Sequence, residues 1–323
     1  MASVLSEPIF STFGWQKVGP QNQDWDCVEQ QKHNKKRAKT HPSDVVFRYP
    51  EPYLGFDVYL NTDLKSYGAN SINKSTLTPH LRSLAQAVEC ANKCPKWAEL
   101  YTLESKNWEA HGLLFIYNHD GDYDRDFDTV LNEIHSSEAP VPLGKRVFVL
   151  GPSQIEFLDS VATDINIERG QLKLPDAQHC GFYYPDLDKA KAQAKKTLPA
   201  ATIETLMGPW IVLRYQTVEQ QTIRAGYYFY YRGPGVTVPE FEYVLDYIFK
   251  YQLLEDFDQI SIRLPFGTKD APAIFERAKR SYQDVYWPLA QTTTARSEDR
   301  LLRINCHLIA RFKERFSATQ IGM

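Results

Sequence analysis

Residues 43–67, SDVVFRYPEPYLGFDVYLNTDLKSY, constrain this chain more than any other stretch. Apolar and aromatic runs flank Pro50-Glu51-Pro52-Tyr53-Leu54-Gly55, and prolines and glycines break extended pairing, so the stretch reads as two strands, 44–49 and 57–65, joined by a turn. Side chains on a strand alternate between faces. In the second strand Val58, Leu60, Thr62 and Leu64 form one set, mostly apolar and suited to a core, while Tyr59, Asn61, Asp63 and Lys65 share the other face. With the hairpin centred between Tyr53 and Leu54, position 44 falls opposite position 63. Directly opposed residues share a face with Cβ atoms about 4.5–5.5 Å apart. Asp44 and Asp63 are therefore expected as a carboxylate pair with Lys65 beside them, and a slip of one residue would turn Asp44 to the wrong face.

Adjacent carboxylates repel unless a cation lies between them. Mg²⁺ takes hard oxygen ligands, often one or two carboxylates together with water and phosphate oxygens, and Mn²⁺ is an expected substitute. A neighbouring lysine orients or activates the attacking water, or stabilises charge on the phosphate. The competing reading is a solvated hairpin in which Asp63 and Lys65 form an exposed ion pair of little energetic weight.

Asp44, a gap of eighteen residues, and then Asp63-Leu64-Lys65 give the chain a motif that resembles that of the PD-(D/E)xK nuclease superfamily, with Pro42-Ser43-Asp44 departing from a strict Pro-Asp step. The resemblance spans residues 20–120. It implies an α/β fold with a mixed α+β sheet and a restriction-endonuclease-like core of helix, three antiparallel strands, helix and further strand. It also implies a metal held by Asp44, Asp63 and the backbone carbonyl of Leu64, with Lys65 assisting water attack. The superfamily often places an acidic residue on its first helix, for which Glu29 is the candidate, with Asp26 behind it. DNA is the implied substrate, RNA stays open, and restriction or defence against foreign DNA follows by analogy.

With a formal net charge of −3, nucleic-acid contact has to come from local patches. The densest is the end of the segment 24–39, read as the first helix: Lys32, Lys35, Lys36, Arg37 and Lys39. Lys35, Lys36 and Arg37 are candidate phosphate contacts, as are Ser66 and Tyr67 in the polar loop expected after Lys65. Residues 1–20 read as an extended lead-in. Thr78 and Pro79 look like an N-cap and first position of a helix that runs to Cys94, and His80 reads as a residue of its exposed first turn. An apolar strand follows at 112–118, and His111 and His119 beside it read as structural. Another strand, 145–150, precedes a helix through Ile155, Leu158, Val161 and Ala162 and reads as an added unit extending the sheet.

Length, 323 residues, and a loosening of the pattern near 175 suggest a nuclease-like domain over 1–175 and an α+β accessory domain for recognition or assembly over 176–323. The second half is expected to hold a basic helix at 186–196, strands at 210–215 and 225–232, a helix at 239–254, a strand at 259–264, and helices at 271–286 and 301–316. The aromatic run Tyr227-Tyr228-Phe229-Tyr230-Tyr231 reads as core rather than as a base-stacking platform. Five scattered cysteines argue against a disulfide framework. Cys90 and Cys94 lack a second pair that would complete a zinc site, so buried thiols are expected. No secretory leader or membrane span is apparent, and a cytoplasmic location is expected. Paired cuts would call for a homodimer or a partner subunit. The alternative to an enzyme is a non-catalytic nucleic-acid-binding or protein-interaction protein on a nuclease-like scaffold.

Overall fold

The computed structural model describes residues 2–33, 39–53, 55–102, 107–185, 197–219, 222–254, 258–286 and 300–311. Lys35, Lys36, Arg37 and the helix expected at 186–196 lie outside them. The described residues fall into two units, 2–156 and the residues from 157 onward.

The first unit is built on a five-stranded mixed sheet. In chain order it contains α1 (Ala2–Thr12), β1 (Gln16–Val18), β2 (Gln23–Asp26), β3 (Thr40–Ser43), β4 (Val45–Pro50), β5 (Asp57–Tyr67), α2 (Lys74–Ala91), α3 (Pro95–Tyr101), β6 (Trp108–Asn118), α4 (Phe127–Asn132) and β7 (Val147–Leu150). The sheet order is β1-β4-β5-β6-β7; β1, β4 and β5 run antiparallel, and β6 and β7 add in parallel. Helix, three antiparallel strands, crossover helix and parallel strand therefore follow in the order expected of a restriction-endonuclease-like core. Because β5 is central, it is buried on both faces: Tyr59 and Leu60 are both fully covered.

The first helix is not where the composition put it. Residues 2–12 are helical because Leu5, Ile9 and Phe10 make one apolar stripe. Phe10 stacks on Trp15, with centroids 4.4 Å apart, and meets Phe47 and Phe115 edge-on at 4.9 and 5.9 Å. The segment expected as a helix from 24 to 39 instead opens with β2 and pairs with β3. Trp25 and Cys27 alternate with exposed Asp24 and Asp26, a strand's period, and both are buried. The helix expected to start at Thr78 begins earlier: Asn73 caps α2, accepting from the Thr76 amide at 3.1 Å. Pro95 opens α3 rather than closing α2. On the opposite face of the sheet from Phe47, α2 approaches β6 closely at Gly112, where a Cβ would meet Leu84 Cγ at 2.9 Å.

The second unit holds most of α5 (Pro152–Gly170), followed by β8 (Cys180–Tyr183), β9 (Thr197–Leu198), α6 (Ile203–Met207), β10 (Trp210–Glu219), β11 (Thr222–Tyr231), α7 (Val238–Lys250), β12 (Gln259–Leu264), α8 (Ala271–Tyr286) and β13 (Ile304–Leu308). Its six-stranded sheet is ordered β13-β12-β11-β10-β8-β9. The expected final helix 301–316 is a strand at 304–308, parallel to β12, with 312–316 outside the described residues. Both faces of the aromatic strand β11 are covered. Tyr227, Phe229 and Tyr231 join the core formed with α7 and α8. Tyr228 and Tyr230 point the other way and donate hydrogen bonds to Glu168 and Asp164 on α5, at 2.7 and 2.9 Å. Asp164 accepts a bidentate pair from buried Arg263 at 2.6 Å each. These rings are occupied by packing and by this polar network, so they offer no faces for stacking bases.

Candidate active site

The hairpin register is the one the turn dictates. Val45 pairs with Thr62, Val46 with Asn61 and Phe47 with Leu60, so position 44, just before β4, falls opposite Asp63. Arg48 Nη2 ties the far end of the hairpin by donating to both Asp57 carboxylate oxygens at 2.9 and 3.0 Å. At the near end the Leu64 amide donates to Asp44 Oδ2 at 2.8 Å, fixing the Asp44 carboxylate against β5. Lys65 Nζ donates to Asp63 Oδ1 and lies 3.9 Å from Asp44 Oδ2. Asp44, Asp63 and Lys65 thus converge on one face, as strand alternation and register require.

The neighbouring polar residues divide by face. Asn61 belongs to the same face but is buried at 1% exposure, and its Oδ1 accepts from Ser43 Oγ, which itself accepts from Trp25 Nε1 at 2.9 Å. It holds the hairpin to β2 and β3. Tyr67 ends β5 two residues beyond Lys65 and shares its face, rather than starting a loop. Ser66 points to the other face, where its hydroxyl is 3.3 Å from His119 Nδ1, so it does not join the cluster.

Sequence reasoning passed over His80. It is no first-turn surface residue, because α2 starts at Lys74 and its first two turns lie over this end of β5. His80 Nε2 is 2.7 Å from the Tyr67 hydroxyl, and Nδ1 is 3.6 Å from Asp63 Oδ2. The available signal was the period-2 set Asp63, Lys65 and Tyr67. What a strand cannot reveal is which residue of the following crossover helix comes to rest on it.

The electrostatics follow from crowding. Burial pushes the Asp63 carboxyl up to about 6; the Lys65 ammonium pulls it down, and the Asp44 carboxylate pushes it up again. Partial burial, with the Lys65 charge alongside, holds His80 below the ordinary histidine range.

Glu29 does not belong to this site. It lies in a turn after β2, where its carboxylate accepts from Lys93 Nζ at 2.6 Å, next to Glu89. Glu89 and Lys93 are at the C-terminal end of α2, and nine residues of helix separate Glu89 from His80, about 13 Å at 1.5 Å per residue. Lys32 is committed to Glu89 at 2.5 Å. Asp26 is 4.0 Å from Lys96. The first-helix acid expected at the metal has no counterpart in this segment, because the segment is not the first helix.

Residues 1–154 match the family model described as GAPS4 protein PD-(D/E)XK nuclease domain. The match ends close to the limit of the first unit. No curated protein and no solved structure matches the chain.

Proposed function

We propose, from the premise that residues 1–154 form a PD-(D/E)XK nuclease-superfamily domain, that the chain is a divalent-metal-dependent endonuclease hydrolysing DNA phosphodiester bonds. The observation that carries this reading is the convergence of Asp44, Asp63 and Lys65 at one end of the β4–β5 hairpin. The donor set fits a hard cation. It consists of two carboxylates close enough for Asp44 to raise Asp63, oxygen ligands of the kind a hard cation takes. Asp44, Asp63 and the Leu64 carbonyl would hold Mg²⁺ or Mn²⁺. When bound, such an ion neutralises phosphate charge and makes water a better nucleophile.

The chain's own groups do the rest. The Leu64 amide holds the Asp44 carboxylate in place by donating to Oδ2, the oxygen 3.9 Å from Lys65 Nζ. Lys65 places a cation where charge develops on a phosphate during attack, and such preorganised charge is a large catalytic factor. Tyr67 aims a hydroxyl from the same face and His80 holds that hydroxyl in place, so Tyr67 is the better phosphate contact of the two residues expected after Lys65. Lys35, Lys36 and Arg37 stay candidate DNA contacts by sequence. A role in restriction or defence rests on analogy, and a homodimer or partner subunit is the arrangement that paired cuts would require.

Supercoiled plasmid incubated with the wild-type chain and Mg²⁺ or Mn²⁺ should be converted to nicked or linear forms. EDTA or Asp44→Ala should abolish the conversion. Wild-type protein that leaves plasmid and single-stranded DNA intact with both metals would overturn the proposal.

The position of Asp63 adds a pH dependence. Its carboxyl holds a proton below about 6, and that proton competes with the cation. Apparent Mn²⁺ affinity, measured by calorimetric titration, should be about tenfold weaker at pH 5 than at pH 7. A flat affinity across that range would remove Asp63 from the ligand set.

A further inference from the structure

We infer that the first unit carries a second metal site, a structural zinc centre formed by Cys27, His33, His41 and Cys90. All four are buried, at 2, 7, 0 and 0% exposure. Their ligand atoms lie within 4.8 Å of one another. Cys27 Sγ is 3.8 Å from Cys90 Sγ, and His33 Nδ1 is 3.4 Å from Cys27 Sγ and 3.6 Å from Cys90 Sγ.

Those distances are what a tetrahedral ion sets. Sulfurs about 2.3 Å from zinc and a nitrogen about 2.0–2.1 Å from it stand about 3.8 Å (S···S) and about 3.6 Å (S···N) apart at the tetrahedral angle. A disulfide would need the sulfurs at about 2.05 Å. Two thiolates and two imidazoles are a zinc donor set, unlike the oxygen set at Asp44 and Asp63.

The surroundings point the same way. His33 turns its second nitrogen, Nε2, toward Glu89 Oε2 at 3.1 Å, and a carboxylate behind a ligating histidine fixes its tautomer with Nδ1 free to bind. Chain order explains why the sequence hid the site. The partner of Cys90 is not Cys94, four residues further on at the start of α3, but Cys27, 63 residues earlier.

The fold has a use for such an ion. β2 and β3 are four residues each and form a separate two-stranded ribbon. A two-stranded hairpin is marginal by itself in water. Cys27 directly follows the first strand, His41 sits in the second opposite Trp25, His33 lies in the connection, and Cys90 is on α2. One ion would fasten both strands to the helix, with the two thiol protons released to solvent on binding. The site is separate from the proposed catalytic centre, since ten residues of α2, about 15 Å, lie between Cys90 and His80.

The test is metal content by mass spectrometry of the full chain after gel filtration in EDTA. About one zinc per chain is expected in wild type, in Cys94→Ser and in Asp63→Ala, and less than about a tenth in Cys27→Ser and Cys90→Ser. Should the serine variants fail to fold, cobalt decides on the wild-type chain. Refolding with Co²⁺ should give tetrahedral ligand-field bands with a thiolate charge-transfer band. Wild-type protein from zinc-supplemented culture that holds no zinc and gives no thiolate–cobalt spectrum overturns the inference, as does full zinc occupancy in folded Cys27→Ser and Cys90→Ser.

Discussion

Asp63→Asn should lose cleavage on the order of 10³-fold while making the metal-free protein more stable, not less. The first effect follows from the several kcal/mol of charge stabilisation that a bound cation supplies and that an amide ligand cannot recruit. The second follows from the position of the Asp63 carboxyl, raised to about 6 chiefly by burial. A folded-state pKa above the unfolded value means that ionised Asp63 opposes folding. The penalty is fully present above pH 6, shrinks as pH falls through 6, and is gone below about 4. A shift of about two units corresponds to about 3 kcal/mol at most. Asparagine also weakens the partner of Lys65, so about 1–2 kcal/mol of net gain is expected, a rise of several degrees in Tm for a unit of this size. Thermal unfolding in EDTA at pH 7.5 and at pH 4.5 measures it. A variant less stable than wild type at pH 7.5, or a difference that does not shrink toward acid, would contradict the account of Asp63 as a residue strained for function.

The parts of this molecule that could be read from sequence are those governed by local periodicity. The β4–β5 register followed from a turn whose prolines and glycine bracket it symmetrically, and it brought Asp44 opposite Asp63. β12 and α8 matched their expected limits because each is bounded by breakers and shows one clear period. The misreadings share a different cause. Residues 24–39 are rich in helix formers, but Trp25 and Cys27 need burial on alternate positions, and tertiary demand overrode propensity. Residues 1–20 read as an extended lead-in, yet 2–12 form α1, a helix that contains Pro8. β13 is five residues with little alternation, and it is a strand because β12 offers an edge. Neither His80 at Asp63 nor His33 and His41 at Cys27 and Cys90 is adjacent in sequence to what it meets. The crossover from β5 through α2 to β6 delivers both encounters at opposite ends of one helix, and no pattern within a strand or helix encodes that.

Lys65→Ala should slow cleavage about 10²–10³-fold at saturating metal, the usual loss when one preorganised charge facing the transition state is removed. Two roles are available to Lys65, and they separate by experiment. It lies against Asp63 and lowers that carboxyl, so its removal lets Asp63 rise above about 6 and moves the midpoint of pH-dependent metal binding upward. Were this its whole contribution, excess Mn²⁺ at pH 8.5 would restore the variant to the wild-type rate. A direct role in water attack or phosphate stabilisation survives those conditions: kcat stays depressed while KM for DNA changes little. Lys65→Arg should keep the influence on Asp63 but lose most of the rate, because a planar guanidinium cannot occupy the space of a compact ammonium held between two carboxylates. Single-turnover rates for wild type, Lys65→Ala and Lys65→Arg across pH 6–9 distinguish the cases. Full rescue of the alanine variant at high pH and high metal would reduce Lys65 to a tuner of Asp63, whereas a deficit that persists across the range makes the ammonium part of the chemistry.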